Sequence, residues 1–120
     1  MTNIDKVAVI GAGVMGAGIA AHAANAGIAV ILLDVVPDGA SNRSVLAETA
    51  VNKLLKANPA PLMHRRNTRH IQTGNLDDDL SLLAECDLVI EAVIEDLEIK
   101  QDLYRRVDTA RKPGSIVTSN

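Results

Sequence analysis

A glycine-rich segment near the N-terminus carries the strongest chemical signal in the sequence. Gly11, Gly13 and Gly16 stand in the order GxGxxG, after an apolar run and at the start of a helical pattern. In this setting Gly11 permits a tight turn, Gly13 lets the backbone approach a pyrophosphate, and Gly16 allows the helix to pack closely on the sheet. Val14 and Met15 then open the helix, where unpaired N–H groups and the helix dipole attract an anion. The segment predicts a phosphate-binding turn.

An acidic residue follows at the spacing that a dinucleotide site requires. Asp34 stands 23 positions after Gly11, at the end of the next apolar run. A carboxylate there accepts hydrogen bonds from both hydroxyls of an adenine ribose and repels the 2′-phosphate of NADP. Val35 and Val36 come next and bring no cation to offset that repulsion. The two motifs together predict an NAD site; the alternative is a glycine-rich turn followed by an aspartate that caps the next helix.

Strands that alternate with helices must position these residues. The apolar residues are mainly valine, isoleucine, leucine and alanine, with one tyrosine and neither tryptophan nor phenylalanine, a composition that suits a parallel sheet covered by helices. We predict an α/β fold, a Rossmann-type doubly wound parallel sheet of about five to six strands, forming one domain over residues 1–120. The predicted strands are 7–10, 29–33, 71–73, 87–93 and 115–118, and the predicted helices are 14–26, 41–56, 80–84 and 96–111.

The composition argues against several other classes of protein. The net charge of −3 is unlike the basic bias of a nucleic-acid-binding module. Residues 7–33 carry no charge, but five glycines, His22 and Asn25 interrupt them, so a strand, a helix and a second strand explain them better than a membrane span. The N-terminus lacks the pattern of a signal peptide. The single cysteine, Cys86, forms no internal disulfide and suits a reducing compartment, so we expect a cytoplasmic protein without membrane or nucleic-acid partners.

Three stretches together resemble the N-terminal domain of the L-3-hydroxyacyl-CoA dehydrogenase family. They are GAGVMGAGIA at 11–20, DLVIEAVIEDLEIKQDLY at 87–104 and KPGSIVTSN at 112–120. The resemblance implies an NAD-dependent enzyme that oxidises (S)-3-hydroxyacyl-CoA to 3-ketoacyl-CoA, as in fatty-acid β-oxidation. It also implies a homodimer whose catalytic serine, histidine and glutamate and whose dimer contacts lie beyond residue 120. We therefore expect no catalytic residue in this chain and no turnover by it alone.

The resemblance also assigns residues to the nicotinamide half of the cofactor. Glu95 and Lys100 match positions that line the ribose on that side, and Ala92 and Val93 match the strand-end backbone beneath it. These four residues follow the predicted fourth strand, whose carboxyl end faces the glycine loop across the switch point of the sheet. For Glu95 and Lys100 the alternative is a solvated charge pair at the start of a helix.

Basic and acidic clusters elsewhere in the sequence have simpler interpretations. In the family, the second helix and the segment after it contribute to coenzyme A binding, which makes Lys53 and Lys56 candidates, with Arg65 and Arg66 as further cations for the 3′-phosphate. A solvated basic segment is the alternative. The three aspartates at 77–79 suit the dipole of the short helix predicted after them, so we predict no metal site.

Two other functions fit the same motifs. Another 3-hydroxyacid or 6-phosphogluconate-type dehydrogenase would share the glycine loop. A domain that senses NAD(H) without turnover would suit a chain whose histidines, His22, His64 and His70, have no acidic residue at the spacing of a catalytic dyad. A sensor needs an output surface, and the sequence shows none.

Overall fold

A computed structural model describes residues 4–56, 65–92 and 97–119 of the chain. The described residues form five strands, three α-helices and two short 3₁₀ helices. The strands are β1 Lys6–Ile10, β2 Ala29–Asp34, β3 Ile71–Asn75, β4 Leu88–Glu91 and β5 Ile116–Ser119; the α-helices are α1 Val14–Asn25, α2 Val45–Lys56 and α3 Leu97–Ala110; and the 3₁₀ helices are Arg65–His70 and Leu80–Glu85.

The five strands form one parallel sheet in the order β3-β2-β1-β4-β5. The chain runs outward from β1 through β2 to β3 and then returns to the other side of β1 to add β4 and β5. This reversal creates a switch point between the carboxyl ends of β1 and β4, the place where open α/β sheets bind their ligands. The predicted doubly wound parallel sheet is confirmed.

Each face of the sheet carries its own apolar core because successive side chains of a strand point to opposite faces. On one face, valines and leucines of β1 and β2 pack against alanines of α1 and α2: Val7, Val9, Val30, Leu32, Ala17, Ala20, Ala21, Ala24, Ala47 and Ala50. On the other face, the alternate strand residues pack against α3 and the second 3₁₀ helix: Ala8, Ile10, Ile31, Leu33, Val89, Leu83, Leu103 and Val107. Helices cover both faces, so the strands read as unbroken apolar runs.

Some element boundaries differ from the sequence prediction for local reasons. The helix predicted from residue 41 begins at Val45, because the Asn42 side chain accepts a hydrogen bond from the Ser44 amide at 3.1 Å and closes a turn. The fourth strand begins at Leu88, not at residue 87. The Asp87 carboxylate accepts bonds from the amides of Asp5 and Lys6. Within the described ranges, no helix is long and apolar enough to cross a membrane.

Candidate cofactor site

The glycine loop leaves β1 in a conformation that favours glycine. Gly11 has a φ angle of 110°, a region that side chains disfavour. Its amide donates a hydrogen bond to the Leu33 carbonyl at 2.7 Å, so the turn out of β1 is attached to the neighbouring strand. The loop therefore starts from a fixed position at the carboxyl edge of the sheet.

The other two glycines of the motif meet opposite surroundings. A Cβ atom on Gly16 would lie 1.7 Å from the carbonyl oxygen of Gly11, so α1 can pass this close to the loop only without a side chain there. A Cβ atom on Gly13 would meet nothing within 4 Å. The space beside Gly13 is open to a ligand, while the space beside Gly16 is filled by the protein's own backbone.

The N-terminus of α1 is available to an anion. Gly13 precedes the helix without a side-chain cap, and the first turn contains no acidic residue. The first N–H groups of a helix have no intrahelical acceptor, and here no side chain of the helix terminus replaces one. Val14 is 96% exposed and Met15 57% exposed. This arrangement fits a pyrophosphate group, which is both anionic and rich in hydrogen-bond acceptors.

Asp34 ends β2 directly beside the glycine loop. One carboxylate oxygen accepts the Ala12 N–H at 2.7 Å and the other accepts the Val35 N–H at 2.6 Å. These bonds fix the orientation of a half-buried carboxylate at the mouth of the loop. The next α-helix starts only at Val45, so the alternative in which Asp34 caps that helix is wrong.

A cavity of about 600 Å³ connects the loop to α2. Its walls include Gly13, Asp34, Leu46 and Lys53. Lys53 and Lys56 are the two α2 lysines predicted to bind coenzyme A, and both are exposed. Lys53 also lines this cavity. Arg66 is exposed as well; the side chain of Arg65 is not among those that the structure describes.

Across the switch point, β4 brings a different set of groups to the loop. The Ala92 amide donates to the Ile10 carbonyl at 2.8 Å, which holds the end of β4 beside the residue that precedes Gly11. Lys100 of α3 lies beneath this strand end, and its ammonium group is 3.6 Å from a carboxylate oxygen of Glu91. The Lys100 side chain is only 13% exposed, which does not fit the alternative of a solvated charge; its placement at the nicotinamide-side ribose stays a prediction. Val93 and Glu95 lie outside the described residues.

Two polar residues near the site were not anticipated from the sequence. Glu91, the last residue of β4, is buried at 2% exposure; a lone carboxylate at the end of an apolar strand was the available signal. Asn75, the last residue of β3, is equally buried and stands beside Asp34 in the sheet register. Its signal was weaker, because an asparagine before acidic residues also suits an exposed turn.

The three aspartates after β3 are held by neighbouring side chains. Arg43 contacts Asp78 at 2.7 Å, and Arg106 contacts Asp77 at 3.1 Å. The Asp79 carboxylate accepts a hydrogen bond from the backbone N–H of Asn75 at 2.8 Å. It makes no capping bond to the 3₁₀ helix that follows. The Arg43 guanidinium, by hydrogen bonding, lowers the pKa of the Asp78 carboxyl. In the described part of the chain, no group of residues has the composition of a metal site.

The fold and the loop geometry define a dinucleotide-binding Rossmann domain. Residues 6–120 match the family described as 3-hydroxyacyl-CoA dehydrogenase, NAD binding domain. The chain therefore belongs to the 3-hydroxyacyl-CoA dehydrogenase family and comprises its NAD-binding domain, as the resemblance of the three sequence stretches predicted. NAD is the cofactor of this family domain, and the open loop beside Gly13 and the oriented Asp34 carboxylate fit it.

Individual relatives agree with the family match. The chain is 50% identical to a probable 3-hydroxyacyl-CoA dehydrogenase of Deinococcus radiodurans, over 98% of this chain and 34% of that protein. It is 49% identical to one of Bacillus subtilis, over 98% of this chain and 17% of that protein. Among solved structures, 3-hydroxybutyryl-CoA dehydrogenase from Escherichia coli superposes with a TM-score of 0.76 at 31% identity, covering 99% of this chain and 25% of that one. The chain thus spans between 17% and 34% of the length of these proteins.

Proposed function

We propose that this chain supplies the NAD site of an enzyme that oxidises (S)-3-hydroxyacyl-CoA to 3-ketoacyl-CoA. The observation that carries the proposal is the junction of the glycine loop with the Asp34 carboxylate through the Ala12 amide. Relatives support the substrate, because the similar proteins are named for 3-hydroxyacyl-CoA and 3-hydroxybutyryl-CoA. A relative from Rickettsia felis, 44% identical, is named a putative fatty acid oxidation complex trifunctional enzyme, which supports a place in β-oxidation.

The proposal gives each half of the cofactor its own part of the site. Gly13 and the first turn of α1 would hold the pyrophosphate, because the amides of Val14 and Met15 have no intrahelical acceptor. The Asp34 carboxylate would accept hydrogen bonds from the two hydroxyls of the adenine ribose, because each of its oxygens accepts only one amide and retains acceptor capacity. Gly11 and Gly16 support this half by fixing the turn and the helix.

The nicotinamide half lies across the switch point, at the end of β4. Ala92, Val93, Glu95 and Lys100 line it in this proposal, and the low exposure of Lys100 supports a fixed position for its ammonium. When bound there, NAD accepts a hydride from the substrate. The contribution of this chain is to bind and orient the cofactor; the proposal assigns none of its residues to proton transfer.

The substrate and assembly parts of the proposal extend beyond the cofactor site. Lys53 and Lys56 are three positions apart on α2 and are both exposed, so they can present two cations to a coenzyme A phosphate. The alternative is a lysine pair in solvent that binds no ligand. If the pair binds coenzyme A, the double variant Lys53→Ala with Lys56→Ala weakens coenzyme A binding to the chain; if the alternative holds, binding is unchanged. We further propose that the whole enzyme is a homodimer, as the family resemblance implies. We also propose that it is cytoplasmic, in keeping with a buried thiol that forms no disulfide.

Calorimetric titration of the chain with NAD and NADP tests the cofactor site. We expect NAD to bind at least tenfold more tightly than NADP, a difference of about 1.4 kcal/mol, and Asp34→Ala to remove the preference. Asp38→Ala changes an exposed carboxylate in the same β2–α2 connection and should keep it. A folded chain that binds both dinucleotides equally, or a preference that survives Asp34→Ala, would contradict the proposed role of this residue.

A further inference from the structure

Glu91 is a buried carboxylate with few neighbours that could stabilise its charge. The residue is 2% exposed, and neither of its carboxylate oxygens accepts a hydrogen bond from the residues that the structure describes. Ile10, its register partner on β1, shares its face of the sheet and belongs to the apolar core there. A carboxylate in such surroundings is costly unless a cation compensates it.

Lys100 is the cation that faces this carboxylate. Its ammonium group lies 3.6 Å from Glu91 Oε1, and its side chain is 13% exposed. A lysine side chain loses rotamer entropy when it is held in one geometry. Here the geometry is imposed by a carboxylate that has no access to water. Glu91 is held in place by its strand, so in this pair the carboxylate fixes the position of the Lys100 ammonium group and not the reverse.

The position of the pair connects it to the cofactor site. Glu91 immediately precedes Ala92, whose amide donates to the Ile10 carbonyl at 2.8 Å, and Ile10 immediately precedes the glycine loop. The buried charge thus lies one residue from the contact that joins β4 to the loop. An ammonium group held at this point lies at the switch point of the sheet.

We infer that Glu91 is a positioning residue that holds the Lys100 ammonium in place for the nicotinamide-side ribose of NAD. The inference rests on the proposed function, which places Lys100 at that ribose. Glu91 itself touches no cofactor atom in this account; it acts through Lys100. Without it, Lys100 loses this partner at the strand end, and NAD binding then has to order more of the side chain.

Comparison of NAD with ADP separates positioning from general damage, because ADP lacks the nicotinamide half. In calorimetric titrations of the chain, Glu91→Gln should weaken NAD binding about fivefold or more and leave ADP binding within about twofold. Glu85→Gln makes the same chemical change in an ion pair with Lys6, at 2.9 Å, near the amino ends of the strands. That control should leave the affinities for both ligands unchanged.

A double-mutant cycle with Lys100→Met tests whether Glu91 acts through Lys100. If it does, Lys100→Met weakens NAD binding, and Glu91→Gln causes no further loss in the Lys100→Met background. Additive losses, equal losses for NAD and ADP, or unchanged NAD binding by Glu91→Gln would each overturn the inference. Should Glu91→Gln fail to fold by circular dichroism, Glu91→Asp keeps the charge but withdraws it by one methylene, and the same NAD-specific loss is expected.

The cycle also distinguishes the two levels of the argument. Wild-type chain that is folded but binds neither NAD nor ADP would contradict the proposed cofactor site as a whole. Full NAD affinity in Lys100→Met would contradict the placement of Lys100, and with it the inference, while leaving the Asp34 side of the site intact.

Discussion

Gly13 and Gly16 belong to one motif, yet the structure gives them different physical requirements. Gly16 faces the Gly11 carbonyl, and an added Cβ atom would lie 1.7 Å from its oxygen. Gly13 faces open space and has an ordinary φ angle of −72°. The packing therefore leaves room for a side chain at Gly13 but not at Gly16, which lies where the helix contacts the loop.

The alanine variants of these glycines should separate binding from stability. Gly16→Ala forces α1 away from the loop, and we expect a loss of about 1–3 kcal/mol in the free energy of unfolding. Gly13→Ala should change that free energy by no more than about 0.5 kcal/mol but weaken NAD binding, because its methyl group occupies space that the pyrophosphate needs. Urea unfolding and calorimetry measure the two effects. Unimpaired NAD binding by Gly13→Ala would contradict the proposed path of the pyrophosphate.

The burial of Cys86 predicts how the stability of the fold changes at alkaline pH. Its side chain is buried, and burial raises the pKa of the thiol from 9.0 to about 11. Since the folded state holds this proton more tightly than the unfolded state, the stability that it contributes is complete below pH 9.0 and is lost as the pH rises toward 11. Urea unfolding across this range should show a steeper decline for wild type than for Cys86→Ala. Equal slopes would contradict the effect of burial.

At the scale of elements, the junction after β3 depends on one buried amide. The Asn75 side chain donates to Ser44 Oγ and to Asp78 Oδ2, each at 3.1 Å, and accepts the amides of Asp77 and Asp78 at 3.1 and 2.8 Å. It therefore joins the segment before α2 to the turn after β3. The turn after β3 adjoins Asp34, because the Leu76 amide donates to the Asp34 carbonyl at 2.9 Å and Asn75 is the register partner of Asp34.

Removal of this amide should loosen the junction. We expect Asn75→Ala to lower the free energy of unfolding by about 2 kcal/mol, because four partly buried hydrogen bonds around this side chain are lost together. Gln72→Ala on the same strand is the control, since Gln72 is exposed, and it should change stability by less than about 0.5 kcal/mol. Urea unfolding measures both. Similar losses in the two variants would show that the network contributes little.

The two motifs that could be predicted from the sequence are those whose geometry is local. The strand, the glycine turn and α1 follow one another within residues 6–25, and Asp34 needs only the neighbouring strand to reach the Ala12 amide. The Glu91–Lys100 pair and the Asn75 network depend on how α3 and the 41–44 segment pack, which no periodicity encodes. The later start of α2 at Val45 likewise results from a side-chain bond of Asn42 that competes with the helix.

At the scale of the whole molecule, β5 has only one strand neighbour, β4, among the described residues. Ile116 on this strand is 50% exposed, and Tyr104 on the adjoining α3 is 39% exposed. Exposed apolar edge strands favour pairing between chains.

We expect the isolated chain to self-associate with rising concentration and Ile116→Lys to reduce this association, because a charged side chain disfavours edge pairing. Ile4→Lys, at a position that is 38% exposed outside the sheet, is the matched control. Sedimentation velocity over a concentration series measures the effect. An identical concentration dependence in both variants and wild type would exclude the β5 edge as the contact.

The buried face of α1 consists of the smallest side chains: Gly16, Ala17, Ala20, Ala21 and Ala24. Such a face works as a spacer, since its thickness sets the distance between helix and sheet along the full length of the helix. A bulkier residue at Ala24, at the end of α1 remote from the glycine loop, would tilt the helix and displace its first turn. Residues remote from the loop are therefore under the same restriction on size as the loop itself, because all of them set the distance between α1 and the sheet.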